Sequence, residues 1–498
     1  MPETDQAHFD APIFRALLSF LRAHWARVLI ISALVLIPCF WHHEIACSDL
    51  GSHLYNAWLV QLIQRGQAPG LYLSGQHTNV LFDWLLGGLS SIFDLRISEK
   101  IAVSLAVLIF FWGAFALASA AARRAPWFIV PVILLVTYGW TFHLGLFNYY
   151  LSLGLSSFCL AILWRGKGWE LLAALAIAPL VVFAHVLGFF WLIAAAAYIG
   201  FHENVRGWDK VLPLLFAMTT LFALHLFFSR RYIITPGTPP FFSFNGADQL
   251  VLFGERYRML ARALLIFAIV SLCADAFRRR HEQGLWRDYA VPLQLYAMVW
   301  VAVFWLPEGV QFPPPKVGIA LLTERLTSVS AVLGCCLLGA MRPRKWHLAA
   351  SAAIAAIFFI FDYQDTAVVN RMEAQAVHLV STLPPNQRVM ATILPLKGSR
   401  ILIQHIIDRA CIGRCFSYGN YEPGTGLFRV RALPGNPYVV STYDEAIDME
   451  HGGYIVQPRD LPLYQVYQCG AAGTELCIAS LKAGEANDDL GEHAEQQR

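Results

Sequence analysis

The sequence predicts a polytopic α-helical membrane protein of about eleven transmembrane helices, followed by a small α+β extracytoplasmic C-terminal domain. Three observations predict it. Of 498 residues, 57% are hydrophobic and only 14% charged, whereas a water-facing globular chain carries about a quarter of its residues charged. Apolar runs long enough to cross a bilayer recur between residues 27 and 361. Beyond residue 363 the pattern changes to short apolar runs between turn signals, and Cys411, Cys415, Cys469 and Cys477 fall there. A net charge of +3 gives no ground for a nucleic-acid partner.

Residues 1–26 read as a cytoplasmic N-terminus. Arg15, Arg22 and Arg27 precede the apolar run Val28 to Trp41, and no small-residue cleavage site follows, so this run reads as an uncleaved first span. The transmembrane domain is expected over 27–362. Its spans are expected near 27–43, 99–122, 126–142, 147–164, 169–185, 186–203, 210–228, 259–277, 289–306, 322–341 and 345–361. Arginine and lysine fix the orientation. The groups Arg15/Arg22/Arg27, Arg123–Arg124, Arg165/Lys167, Arg206/Lys210, Arg278–Arg280 and Arg342/Arg344/Lys345 fall in alternate loops. All are cytoplasmic if the apolar stretch 79–93 does not cross, as the positive-inside rule favours. That stretch is therefore expected to be interfacial. The C-terminus then lies outside, on the extracytoplasmic side.

The expected outer domain covers 363–485. Arg388–Leu394, Leu427–Arg431 and Leu463–Gln468 have strand character, Arg400–Arg409 has helix character, and 486–498 form an acidic, polar tail expected to be disordered. The four cysteines of this part suit disulfides in an oxidising compartment. A metal site is the rival reading, although their spacings match no common zinc pattern.

The first outer loop, 44–98, carries the chemistry. Glu44 and Ser48-Asp49 follow the first span directly, and Leu54, Trp58 and Leu62 then recur at helical spacing. An amphipathic helix in the membrane interface is expected there. Asp49 and His53 are four residues apart and share a face if that helix starts early. A carboxylate at the mouth of a membrane cavity suits a general base, because partial desolvation raises its pKa. Asp49 also suits the N-cap of the helix, and both roles are compatible.

The order of a first span, an acid just beyond it, an interfacial helix, Gly70-Leu71-Tyr72 and Asn79-Val80-Leu81-Phe82-Asp83, then many helices and an outer C-terminal part, resembles the GT-C class of membrane glycosyltransferases. The likeness is to its bacterial protein-mannosyltransferase-like members. It implies an inverting transfer of a sugar from a polyprenyl-phosphate donor to a protein, lipid or glycan acceptor bound from outside, with Asp49 in the place of the family's first-loop base. The chain departs from the family where Ser48-Asp49 replaces adjacent acids and where His77-Thr78-Asn79 lacks prolines.

Other polar residues at expected outer turns are candidate substrate ligands: Glu44, His53, His77, His143, Asn148 and His185. The bland reading of each histidine is a hydrogen bond between helices. Positive charge on the outer side is the larger anomaly. Arg230, Arg231, Arg256 and Arg258 bracket one outer loop, and Lys316, Glu324 and Arg325 lie at the next. Arginine grips phosphate bidentately, whereas snorkelling to headgroups is the bland reading. The loop containing Pro236, Gly237, Pro239 and Pro240 suits a gate. No cofactor is implied with certainty. His42-His43-Glu44 with Asp49 and His53 offers ligands of a suitable type for a divalent metal. Phosphate-cradling, Gly-x-Ser-x-Gly and His-Glu-x-x-His motifs are absent. Two other classes remain open: a transporter or lipid flippase, which calls for related halves, and a membrane-anchored assembly component without catalysis.

Overall fold

The computed structural model describes residues 13–166, 168–204, 211–235, 244–282, 284–312, 317–425, 428–440, 442–470 and 473–487. Helices dominate it. In chain order they are α1 (Ile13–Phe40), α2 (Leu50–Gln64), α3 (Leu81–Ser90), α4 (Leu95–Ala122), α5 (Val130–Thr137), α6 (Phe147–Arg165), α7 (Leu171–Ala184), α8 (Val186–Asn204), α9 (Val211–Arg231), α10 (Glu255–Arg278), α11 (Leu285–Trp305), α12 (Leu322–Ala340), α13 (Lys345–Ser381), α14 (Ile406–Cys411) and α15 (Tyr443–His451), with single turns between some of them.

Among the described residues, seven helices are long and apolar enough to cross a membrane: Leu18–Phe40 within α1, and α4, α6, α9, α10, α12 and α13. Trp127–His143, Gly168–Ala184 and Val186–His202 are apolar but shorter. Every segment expected to cross falls on helix. The one expected at 126–142 is broken, with α5 ending at Thr137 and a single turn at Trp140–His143. The break is held by Gln249, whose Oε1 accepts from the Thr141 backbone N and from Thr141 Oγ1, so the freed amide is satisfied inside the fold. The stretch at 79–93 contributes only α3, whose ten residues rise about 15 Å, half of a hydrocarbon core. Helix α4 starts earlier than expected because Asp94 caps it, accepting from Ile97 N at 2.9 Å.

The expected boundary at 362/363 falls inside a helix. Helix α13 runs unbroken for 37 residues, about 55 Å at the α-helical rise. Its C-terminal half lies against the following sheet. That sheet has β1 (Arg388–Thr392) parallel to both β2 (Phe416–Ser417) and β3 (Leu463–Gln468), with β4 (Leu476–Leu481) antiparallel to β3. Two disulfides, Cys411–Cys415 and Cys469–Cys477, close loops around it. In two-dimensional terms the sheet alternates helix and strand in its first half, which is why the parallel pairs form there.

The first loop and the C-terminal segment share one core. Tyr55 and Leu59 of α2 pack with Met372 and Ala376 of α13 and with Ile406 and Cys411 of α14. Leu71–Leu73 pairs antiparallel with Val430–Ala432, Leu71 opposite Ala432. Helix α2 was expected to lie on a surface with one face free. Its residues from Leu50 to Ala57 are all buried, because the C-terminal segment covers the face that the sequence leaves polar, through Asn56, Ser52 and His53. Arg409 locks this arrangement. Its guanidinium reaches Glu44 at 2.7 Å, Glu99 at 2.8 Å and Glu373 at 3.5 Å, joining the first loop, α4, α13 and α14.

Candidate functional site

Asp49 sits in a short loop gripped from behind by the turn that follows α5. Ser48 N donates to His143 O at 2.9 Å and Asp49 N to Leu144 O at 3.0 Å. Gly145, at φ +83°, lies so close that a Cβ there would come within 2.8 Å of Asp49 N; only glycine fits both demands. On the other side Gly51 presses against the C-terminal segment, where a Cβ would meet His405 O at 2.3 Å. Both close approaches fix where the Asp49 carboxylate points.

Asp49 occupies the N-cap position of α2, but its side chain makes no capping hydrogen bond. The carboxylate is 22% exposed and has Ser48 beside it. His405 Nε2 lies 3.9 Å from Asp49 Oδ1, and His405 Nδ1 bonds Asp408 Oδ2 at 2.8 Å. Arg325, His53, Tyr421 and Glu450 also act on Asp49 through space. Burial raises the Asp49 carboxyl above its usual range, against the pull of His405, His53 and Arg325.

Beside it runs a second polar chain. His53 Nδ1 lies 2.7 Å from Asp83 Oδ1, and Asn148 Nδ2 donates to Asp83 Oδ2 at 2.9 Å. Asn148 Oδ1 in turn accepts from Phe82 N at 2.8 Å, anchoring the start of α3. Burial disfavours a charged His53, but Asp83 outweighs it and lifts the ring to about 9. Glu422 accepts from Ser52 Oγ at 2.9 Å; burial pushes its carboxyl up to about 7. For His405, burial again opposes charge and Asp408 overcomes it, giving about 10.

Arg325 enters from the first turn of α12. Its guanidinium stands 5.8 Å from the centre of the Tyr149 ring, and Tyr149 OH donates to Arg325 O at 2.6 Å. Arg325 Nε is buried with no hydrogen-bond partner. His185 packs edge-on against the same tyrosine, ring centres 5.5 Å apart. Helix α12 is preceded by Leu321 at φ +56°, a strained conformation for a branched residue of the kind that gathers at functional sites.

The candidates thus divide. Asp49, His53, Asn148, His185 and Arg325 gather on one side of the first loop. Glu44 is engaged by Arg409 and His43. His143 is buried, with Nε2 3.2 Å from Asp362 in α13. His77 is exposed in its loop. Glu324 makes no ion pair with Arg325, though it acts on it through space, and it also faces Arg400, Glu308 and Asp248. Arg256 pairs with Asp365 and Arg258 with Glu255. Arg230 and Arg231 lie exposed at the end of α9 and, among the described residues, touch none of this group. Lys316, the loop prolines Pro236, Pro239 and Pro240 with Gly237, and the tail from 488 onward lie outside the described residues.

His405, Asp408, Tyr421 and Glu422 join the site without having been expected there. They lie more than 350 residues beyond Asp49 in the chain, and only the spacing of His405 and Asp408 on one helical face gave a local signal. Among the described residues, no group of three or more His, Cys, Asp or Glu side chains is placed to hold a metal ion. A small internal void behind the site is lined by Ser48, Gly51, Phe253, Glu373, Ile401 and His405, and not by Asp49 or Arg325. No family model, curated protein or solved structure matches this chain.

Proposed function

We propose that this chain is an integral membrane glycosyltransferase that moves a sugar from a polyprenyl-phosphate donor to an acceptor on the outer face of a bacterial inner membrane. The observation that carries the reading is that Asp49 and Arg325 act on each other through space without a direct ion pair. An uncapped, partly desolvated carboxylate just beyond the first span lies within electrostatic reach of a buried guanidinium whose Nε has no partner. In this reading Asp49 takes the proton of the acceptor hydroxyl as that oxygen attacks the sugar's anomeric carbon. The bond from that carbon to the donor phosphate breaks, and its electron pair leaves with the phosphate. Arg325 answers the charge that grows there. The first-loop order that resembles the GT-C class supports the same roles.

The topology belongs to the proposal. Eleven crossings, with the N-terminus cytoplasmic, place the sheet and both disulfides in the periplasm, where disulfides persist. The shortness of α3 supports this count, since a crossing there would turn five of the six basic groups outward. A transporter is the other class, and the burial of α2 by the C-terminal segment argues against a rocking pair of halves. Mass spectrometry of glycans and glycolipids tests the reading in a strain lacking the chain. Complementation with the native chain is expected to restore a missing glycoform, and Asp49→Asn is not. Identical profiles with and without the gene would refute it.

A further inference from the structure

Three features of the 405–417 segment converge on Asp49. His405 Nε2 is 3.9 Å from Asp49 Oδ1, in a side chain only 6% exposed. That nitrogen has no hydrogen-bond partner. The opposite ring nitrogen is tied to Asp408 Oδ2 at 2.8 Å, and the other Asp408 oxygen accepts from Ser417 Oγ. Ser417 lies on β2, and its backbone N donates to Tyr55 OH at 2.9 Å. The imidazole is therefore clamped from behind and cannot swing away without orphaning the buried Asp408, which is 2% exposed. Ring orientation set by a carboxylate on the far nitrogen is how proteins fix which nitrogen faces a site.

We propose that His405, oriented by Asp408 and Ser417, is a positioning residue for Asp49: its imidazolium holds the Asp49 carboxylate ionised and in place. Among the described residues, His405 is the one cation with a nitrogen within 4 Å of that carboxylate. The other groups that face Asp49 divide in sign. His53 of α2 and Arg325 of α12 favour its charge, whereas Glu450 of α15 and Tyr421 oppose it. Glu422 and Asp83 lie one step further, acting on His53. Burial tends to neutralise the Asp49 carboxyl, so the nearest cation decides its state. The consequence for function rests on the reading of Asp49 as the base: a base must be deprotonated before the acceptor arrives. The C-terminal segment would then be part of the working site, and not only an outer domain attached to it.

The test reads Asp49 directly and needs no substrate. Full-length protein in lipid nanodiscs, carrying ¹³C-carboxyl aspartate, is titrated by infrared spectroscopy, with Asp49→Asn subtracted to isolate one carboxyl band. In His405→Gln the Asp49 midpoint is expected to rise by about one pH unit or more, the range for losing a nearby opposite charge. Asp408→Asn keeps the ring but removes the charge that protonates it, and is expected to move the midpoint in the same direction. Ser417→Ala, the mildest change, is expected to shift it least. An unmoved midpoint in folded Asp408→Asn or His405→Gln overturns the proposal and leaves the transfer reading standing. A moved midpoint together with identical glycan and glycolipid profiles with and without the gene does the reverse.

Discussion

Arg409 is the residue whose removal the fold should tolerate least. Its side chain is 9% exposed, Glu99 is 1% exposed and Glu373 is 7% exposed. One guanidinium nitrogen bonds Glu44 at 2.7 Å and Glu99 at 2.8 Å, and a second donates to Ile45 O at 3.2 Å. Arg409→Met keeps much of the apolar stem and deletes the charge. Three carboxylates are then left around an apolar side chain, two of them almost without water. Breaking a buried ion pair from one side costs about 3–5 kcal/mol, and a second stranded acid places this case at the upper end. The double variant Arg409→Met with Glu99→Gln removes the most buried of those charges and should recover part of the loss. Unfolding free energy in lipid or mild detergent, followed at pH 5 and pH 8, is the assay. The loss should be larger at pH 8, because at pH 5 the stranded acids can take up protons. If Arg409→Met lay within about 1 kcal/mol of the native chain at pH 8, the three acids would not depend on this guanidinium, and the claim that it locks the first loop to the C-terminal segment would fail.

Two further outcomes follow from the site. The His53–Asp83 pair makes stability depend on pH: His53 rises to about 9 in the folded chain from about 6.5 when unfolded. Its contribution is thus complete below about pH 6.5 and fades as pH climbs through 9. Asp83→Asn should therefore cost most below neutrality and progressively less toward pH 10, measured as the difference in melting temperature from the native chain. A pH-independent difference would show that His53 is not charged in the fold. Gly51→Ala places a methyl 2.3 Å from His405 O, an overlap that costs about 1–3 kcal/mol where backbone must shift; it should lower stability and weaken any activity together. A fully stable Gly51→Ala protein would show that α2 and the 405 segment are not in contact.

The helical, membrane-type character of the chain was legible because its signal is local, and seven of its described helices are long and apolar enough to cross a membrane. Apolar runs of fixed length report a solvent, and every expected span falls on helix. The strand over Leu463–Gln468 was legible for a similar reason, since a short run of Leu, Val and Tyr set off by turn signals marks it. What escaped was contact across the chain. Nothing near Ser52, His53 or Asn56 says that the polar face of α2 will be covered by a segment more than 350 residues later. An amphipathic pattern reads the same whether its polar side meets water or a second polar surface. The break at Gly139 escaped too, because its compensation comes from Gln249 and not from any neighbouring residue. In the site, Asp49 was legible from its place beyond the first span and Arg325 from its charge on an apolar helix. His405 and Asp408 were not, because a His-x-x-Asp pair in a polar domain is unremarkable until its partner is known. The arginines at 230, 231, 256 and 258 were singled out by the same charge argument as Arg325. Two of them are satisfied by neighbouring acids and two face outward, which composition alone could not separate.

The account stands on Asp49 acting as a base toward a lipid-linked sugar. The most direct measurement is the release of polyprenyl phosphate from whole envelope of a strain lacking the chain, which carries donor and acceptor together, incubated with the purified full-length protein in nanodiscs. The native chain should release it, and Asp49→Asn, with an unchanged melting temperature, should do so more slowly by about 10²–10⁴-fold, the usual contribution of a general base. Equal release by the two proteins, or none by either, would contradict the account.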